Sequence, residues 1–317
     1  MHVIKRLLTA AGTLIFVLLF NFFLFRAVGD PKQDLARNPR LTKAAQDAII
    51  EQRGLDQSQW VQFKHYVTDT LSGDLGRSFV TNRTVTDELM DALPDTLLIV
   101  GTATILASLI GPWIGLQAAW KRGRTRDTLL TQSAVVLYAI PVFWLGMLLI
   151  AAFAEALPLF PTGHATEPGS TATGLARAID VAEHAVLPVT TLTLGLLAQY
   201  SVNMRSSVIA TMQEDYVLTA RAIGLAPCTI RRRHILRNAL LPVITVIGLN
   251  LGFVLGGAIT VEALFSWPGL GTLTMQAIQG KDYPLLQGLF LLSSAMVILM
   301  NLTTDLLYRR LDPRIRD

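Results

Sequence analysis

The side chains most able to carry chemistry are five histidines and one cysteine, and their spacing favours no catalytic centre. The histidines are scattered through loops and the ends of apolar segments: His2, His65, His164, His184 and His234. They do not form the H-E-x-x-H pair of zinc proteases, and the chain lacks both G-x-S-x-G and the phosphate-binding G-x-x-x-x-G-K-[ST] loop. The sequence therefore predicts a protein that is not an enzyme, binds no metal or cofactor and cannot hydrolyse ATP alone.

Charged residues are concentrated instead in one basic insert, residues 214–242, between two strongly apolar segments. Glu214 and Asp215 place negative charge where a first helix begins, and Gly224 suits the left-handed conformation that follows a helix end. Pro227 suits the first turn of a second helix. That helix has apolar contact residues and a charged surface: Ile230, Ile235 and Leu236, and Arg231, Arg232, Arg233 and Arg237. We expect two short helices with a joint, suited to a membrane surface or to the groove of another protein.

The composition places this insert in a membrane protein. Of 317 residues, 51% are hydrophobic and only 16% are charged, with a mean hydropathy of +0.46. Such a chain is too apolar for an ordinary soluble domain. Despite the net charge of +4, nucleic-acid binding is not expected, because the arginines lie in short loops beside apolar segments and orient membrane spans. The single Cys228 excludes an internal disulfide.

Six apolar segments approach or exceed the roughly 20 residues that cross a bilayer. They cover residues 7–25, 96–120, 129–156, 185–204, 239–265 and 285–307. Flanking basic residues place both termini and the insert in the cytoplasm. A cleavable signal peptide is the competing interpretation of the first segment, although that segment exceeds the roughly 7–15 apolar residues usual there.

The fold class is accordingly an all-α polytopic membrane protein in three parts. Residues 1–28 form the first transmembrane helix, residues 29–94 an external loop, and residues 95–317 a core of five transmembrane helices with the insert at 206–238. Within the external loop we expect a helix at 42–53 and a second helix that ends before Gly73.

Other local signals concern loops, bends and polar residues inside the spans. Residues 158–183 favour an irregular external loop. Proline is expected to bend the second span at Gly111-Pro112 and the third at Pro141. Glu262 and Asn250 are the polar members of the fifth span. A carboxylate at that depth suggests either a structural anchor or a residue of a translocation path, and the sequence leaves both open.

The insert also resembles the cytoplasmic loop of the peptide and nickel permeases of ATP-binding-cassette importers. The similarity lies in Thr219-Ala220-Arg221-Ala222-Ile223-Gly224-Leu225. The chain departs from the broader permease motif, because Leu218 or Thr219 stands where that motif opens with a glutamate. Four further segments are similar to the same group: GDLGRS at 73–78, IPVFWLG at 140–146, FSWPGLG at 265–271 and LDPRIR at 311–316. Together they extend the resemblance over nearly the whole chain.

The resemblance implies the transmembrane-domain fold of a type I importer. It also implies import of di- or oligopeptides by alternating access. The residues implied in coupling to an ATPase are Glu214, Asp215, Thr219, Ala220, Arg221, Ala222, Gly224 and Leu225. Those implied in contact with a binding protein outside the cell are Gly73, Asp74, Trp267, Pro268 and Gly269, and the candidates for the translocation path are Glu262 and Asn250.

The implied partners are a second homologous permease, two ATPase subunits that bind ATP and Mg, an extracytoplasmic substrate-binding protein and the lipid of a prokaryotic inner membrane. Importers of glutathione or nickel complexes belong to the same group and are not distinguished by sequence. A channel or a carrier driven by an ion gradient is the alternative from another class. Such proteins usually place ionisable residues near the membrane midplane, whereas Glu262 and Asp305 lie towards span ends.

Overall fold

The computed structural model describes residues 2–28, 42–52 and 56–311, which are helical apart from loops and one isolated β-bridge between Arg77 and Thr84. We number the helices in chain order. They are α1 His2–Val28, α2 Lys43–Gln52, α3 Gln59–Ser72, α4 Val85–Trp120, α5 Thr125–Ala139, α6 Val142–Ile150, α7 Gly174–Thr211, α8 Asp215–Ala222, α9 Pro227–Thr229, α10 Arg237–Leu264, α11 Leu270–Gln279 and α12 Tyr283–Leu311. Two π-helical segments, Ala151–Ala156 and Ile230–Leu236, follow α6 and α9. The terminal segment at 312–317 lies outside the described residues.

Within the described residues, four helical segments are long and apolar enough to cross a membrane: Leu8–Ala27, Val85–Trp120, Gly174–Thr211 and Tyr283–Thr304. A fifth is reached if the bent pair Thr125–Ala139 and Val142–Ala156 is one span. The predicted span at 239–265 coincides with α10, in which the side chains of residues 249 and 251–257 lie outside the described part. The prediction of an all-helical protein with several apolar spans is confirmed.

Helices α4 and α7 begin eleven residues before their predicted apolar segments, at 85 instead of 96 and at 174 instead of 185. Helix α4 starts at Val85, inside the predicted external loop, because Thr84 caps it: the backbone N–H of Asp87 donates to Thr84 Oγ1 at 3.2 Å. Asp87 and Glu88 in the first turn also favour that end of the helix electrostatically. Helix α7 starts at Gly174, so the predicted irregular loop ends ten residues sooner than residue 183. Hydropathy finds the part of a helix that lies in lipid, whereas the helix itself continues into water.

The third predicted span is broken, not merely bent, since α5 and the helix after it meet at 101°. Pro141 disfavours the helical conformation for the residue before it, and Ile140 is extended at φ −79° and ψ 124°. By contrast, α4 runs through Gly111 and Pro112 as one helix. Glycine serves there to permit close packing: a side chain at Gly111 or Gly115 would clash with α7 at Tyr200 and Ser201.

The chain divides into two compact units, of which one comprises residues 1–95 and 269–302. Its apolar core contains Val85, Leu89, Leu285 and Leu289. The buried carboxylate of Asp282 precedes α12 and accepts hydrogen bonds from the Ser78 hydroxyl and from the backbone N–H groups of Phe79 at 3.1 Å and Val80 at 3.2 Å. This carboxylate holds the segment before α4 against the start of α12.

A second polar contact in this unit involves Asn21 on α1. Its side-chain amide donates to the Tyr66 hydroxyl on α3 at 3.0 Å and to the Gln287 carbonyl on α12 at 3.1 Å. Burial of Tyr66, which lies outside the spans, raises the pKa of its hydroxyl. Asn21 therefore ties three helices together, as expected for an amide in an apolar span.

The other unit comprises residues 96–268 and 303–317 and contains two apolar clusters. The first includes Ile99, Leu192, Val261, Phe265 and Trp267. The second joins α4, α7 and α10 to the insert and is described with it below.

Candidate functional site

The first helix of the insert, α8, begins at Asp215 and ends at Ala222, close to the prediction. Gly224 adopts the left-handed conformation at φ +78°. The N–H of Leu225 donates to the Ala220 carbonyl at 3.2 Å, and the N–H of Gly224 donates to that of Arg221 at 3.0 Å. These two bonds form the Schellman motif, which satisfies the last carbonyl groups of a helix and turns the chain sharply.

One face of α8 is buried in the second apolar cluster of its unit. Val217 and Ala220 pack with Ile230 and Ile235 from the π-helical segment, and the cluster extends to Met204, Val208, Ala239 and Val243 on α7 and α10. Polar contacts reinforce the junction: the Ser207 hydroxyl donates to the Ala239 carbonyl at 2.7 Å, and the Asn238 amide donates to the Tyr216 hydroxyl at 2.9 Å. The insert is thus joined to α7 and α10 by apolar packing and by hydrogen bonds.

The second helix of the insert is not separate from the span that follows. The short α9 starts at Pro227, as predicted, and continues through the π-helical segment directly into α10. Arg231 lies over the Trp120 ring, with its Cζ 5.0 Å from the ring centroid, while the neighbouring Arg232 and Arg233 are exposed. The joint of the insert therefore lies at residues 223–226 alone.

The opposite face of α8 is exposed and partly apolar. Leu218 on α8 is 51% exposed, and Ile223, the residue directly after α8, is 70% exposed. Around them lie most residues predicted for ATPase coupling: Glu214, Asp215, Thr219, Arg221, Ala222 and Gly224 are exposed, and Leu225 is half-buried. Ala220 is the exception, because it is buried and supports the surface from within.

Leu218 and Ile223 were missed as site residues by sequence reasoning. The available signal was their position outside the inward stripe that Val217 and Ala220 form on the same helix. Exposed apolar side chains such as Leu218 and Ile223 can be buried by a partner protein that docks on this surface. Chemically, this face can dock a partner but has no group positioned for bond-making chemistry.

Three of the five residues predicted to meet a binding protein are exposed: Gly73, Asp74 and Pro268. Gly73 ends α3 in the left-handed conformation, and the carboxylate of Asp74 accepts from the N–H of Gly76 at 2.8 Å. Trp267 and Gly269 are buried, and contact of their loop with a binding protein stays a prediction. Trp267 packs in the first apolar cluster of its unit, where it supports the loop that contains Pro268.

The two polar residues predicted for the translocation path are engaged within the chain. Glu262 is 0% exposed, and its Oε1 accepts a hydrogen bond from the Thr96 hydroxyl at 2.7 Å. The Asn250 amide donates to Gln199 Oε1 at 2.7 Å. Both therefore tie α10 to a neighbouring helix, α4 or α7. Burial of Glu262 favours the role of structural anchor over that of a pore residue.

Among the described residues, no group of three or more histidine, cysteine or carboxylate side chains is arranged to hold a metal ion. Cys228 is an exposed free thiol at the start of the second insert helix.

Comparison with known proteins assigns the family. Residues 82–317 match the family described as binding-protein-dependent transport system inner membrane component, and residues 1–100 match the corresponding N-terminal family. The chain is 38% identical over 316 residues to the glutathione transport system permease protein GsiC of Escherichia coli strain K12, covering 99% of this chain and 98% of that protein. The Salmonella typhimurium LT2 protein of the same name is 39% identical with the same coverage.

Two solved structures share the fold at 16% sequence identity. The inward-facing MetNI methionine ABC transporter matches with a TM-score of 0.57, covering 71% of this chain and 96% of that one. An amino acid ABC transporter with histidines matches with a TM-score of 0.54, covering 73% and 95%. The chain therefore belongs to the binding-protein-dependent inner membrane components: it is a bacterial inner-membrane permease subunit of a peptide- and nickel-type ATP-binding-cassette importer, in which separate subunits hydrolyse ATP.

Proposed function

We propose that this permease subunit imports short peptides, with glutathione as the first candidate cargo. The peptide class follows from the resemblance of its motifs to peptide permeases. Glutathione, a tripeptide, is what the nearly full-length relatives transport according to their names. The second half of the pathway comes from a homologous permease, and an extracytoplasmic binding protein delivers the cargo.

The exposed face of α8 is the proposed docking surface for an ATPase subunit. The observation that carries this proposal is the contrast between the buried face of α8, at Val217 and Ala220, and the exposed apolar side chains of Leu218 on α8 and Ile223 directly after it. The buried face is anchored to α7 and α10, so a force applied to the exposed face would displace two long helices instead of deforming a loop. In this proposal both termini and the insert lie on the cytoplasmic side, where the ATPases are.

A transport assay with the complete importer tests the cargo. The two permeases, two ATPases and the binding protein are reconstituted in vesicles, and ATP-dependent uptake of labelled glutathione, a dipeptide, a pentapeptide and a chelated nickel ion is compared. We expect glutathione or a short peptide to be taken up and to stimulate ATP hydrolysis. Uptake of the nickel complex alone would contradict the peptide assignment.

Chemical cross-linking tests the docking surface separately. A photoreactive side chain at position 223 is expected to cross-link to an ATPase subunit, whereas the same group at exposed Thr229 is expected to react less. The proposed role of α8 would be contradicted if the probes at positions 223 and 229 both reacted equally with lipid and neither formed a cross-link to an ATPase subunit.

A further inference from the structure

An ion pair between the half-buried Arg205 and the buried Asp127 links α5 to α7 at the end of the unit that bears the insert. Arg205 donates two hydrogen bonds to Asp127, from Nε to Oδ1 at 2.7 Å and from a terminal guanidinium nitrogen to Oδ2 at 3.0 Å. The N–H of Gly123 donates to Oδ2 at 3.0 Å, and the Thr131 hydroxyl donates to Oδ1 at 3.2 Å. The Asp127 carboxylate thus accepts four bonds and is almost fully buried, with a side chain 6% exposed.

The pair adds a two-point polar contact to α5 and α7, two helices that also pack against each other. Arg205 lies in the final turns of α7, close to Ser207, which bonds to α10, and to Met204 and Val208, which pack on the insert. Asp127 lies in the first turn of α5, the first half of the span that breaks at Pro141. Movement of the insert reaches α7 through the apolar cluster, and the pair is a hydrogen-bonded contact from α7 to the first helix of the broken span.

The chemistry of the pair favours a positioning role over a contribution to net stability. Burying two charges costs desolvation free energy that a salt bridge often only offsets, so buried pairs are poor evidence of stabilisation. A bidentate arginine–carboxylate contact does fix the distance and orientation of the two groups, which a single-point contact or an apolar contact does not. The two bonds resist sliding and rotation of α5 against α7.

We propose that Asp127 and Arg205 are positioning residues that transmit movement of the insert from α7 to α5, and hence to the broken span formed by α5 and α6. This inference rests on the proposed coupling role of α8. It assigns the two residues to the step that converts ATP turnover into opening of the pathway, and not to assembly with the ATPases.

Removing both charges together tests the link without leaving a buried unpaired ion. The double variant Asp127→Asn with Arg205→Gln avoids the large penalty of one uncompensated charge, and Arg205→Lys keeps the charge but loses the two-point contact. The matched control is Arg83→Gln with Asp91→Asn, an ion pair whose side chains are 54% and 67% exposed. Each complete importer is reconstituted in vesicles, and substrate uptake and ATP hydrolysis are measured on the same preparation.

We expect the double variant to assemble and to hydrolyse ATP near the parent rate, while uptake per ATP falls about tenfold, a typical size for coupling between sites. The uptake per ATP of Arg205→Lys should lie between that of the parent and that of the double variant. The control double variant should show the same uptake per ATP as the parent. An unchanged uptake per ATP in the double variant would overturn the proposal. So would a proportional loss of uptake and hydrolysis, which indicates a merely structural role.

The cross-linking of position 223 separates this inference from the function on which it rests. If position 223 does not cross-link to an ATPase subunit, the docking proposal fails, whatever uptake per ATP the double variant shows. If the contact forms normally in the double variant and uptake per ATP is still that of the parent, the docking proposal stands and the ion-pair proposal fails.

Discussion

At the scale of single residues, burial separates supporting side chains from those that can meet a partner. Ala220 and Trp267 belong to motifs that resemble functional segments of related permeases, yet both are buried and hold those segments from within. Ile223, which no charge or special chemistry marked out, is among the most exposed large apolar residues of the insert. A motif indicates where a functional segment lies but not which way each side chain points.

Glu262 is expected to act as an anchor. Glu262→Ala leaves the Thr96 hydroxyl without this buried acceptor and should lower the free energy of unfolding by about 1–3 kcal/mol. Glu262→Gln keeps a side-chain oxygen that can accept this hydrogen bond, so it should lower the free energy of unfolding by less. Thermal unfolding of the detergent-solubilised importer, measured with uptake, checks this. Normal stability with abolished uptake in Glu262→Gln would instead indicate a translocation-path residue.

Gly224 is expected to be required for the sharp end of α8. Because its φ is +78°, Gly224→Ala should destabilise the left-handed turn by about 1–2 kcal/mol, whereas Gly224→Asn tolerates this conformation better. Hydrogen exchange at Leu225, whose N–H bonds to Ala220, reports directly on the turn. Equal protection in the alanine variant and the parent would show that the turn does not depend on glycine.

At the scale of elements, the insert is where sequence reasoning was most accurate and where it also fell short. The charged start at Asp215, the stop at Gly224 and the restart at Pro227 all agree with the structure, because each depends on the conformational preference of a single residue. Continuation of the second helix into α10 was not predicted. It depends on packing of Ile230 and Ile235 against α7 and α8, which a local pattern does not contain.

Charge on the exposed face of α8 should weaken docking of an ATPase subunit. Ile223→Glu replaces an exposed apolar side chain with a carboxylate and should lower ATPase affinity about tenfold or more if Ile223 lies at the centre of the contact. Thr229→Glu adds the same charge to an exposed position of the second insert helix and is the matched control. Co-purification of the ATPases with the permeases measures the effect. If Ile223→Glu and Thr229→Glu reduced co-purification of the ATPases equally, the cause would be a general effect of added charge and not contact at Ile223.

At the scale of the whole molecule, the described helices provide part of a pathway and no source of free energy. The family places ATP hydrolysis in separate subunits, and a membrane permease of this kind works within an importer. Several long helices held by interhelical hydrogen bonds, such as Thr96 to Glu262 and Asn250 to Gln199, are suited to move as bodies.

The isolated chain should therefore transport nothing. Vesicles that contain this chain alone are expected to show no peptide uptake under a proton or sodium gradient and no ATP hydrolysis, because the chain lacks a phosphate-binding loop. The complete importer in the same lipids is the positive control. Gradient-driven uptake by the chain alone would contradict the assignment and favour a secondary carrier.

The sequence by itself determined the membrane class, the approximate position of most spans, the boundaries of α8 and the permease family. These depend on apolar length, on backbone preferences of glycine and proline, and on contiguous motifs, all of which are local. Only the tertiary structure decided the 101° break after α5, the burial of Glu262 and Trp267, the outward direction of Ile223 and the contact between Asp127 and Arg205. Each of these depends on side chains far apart in the chain, and the direction a helix face takes is decided by what packs against it.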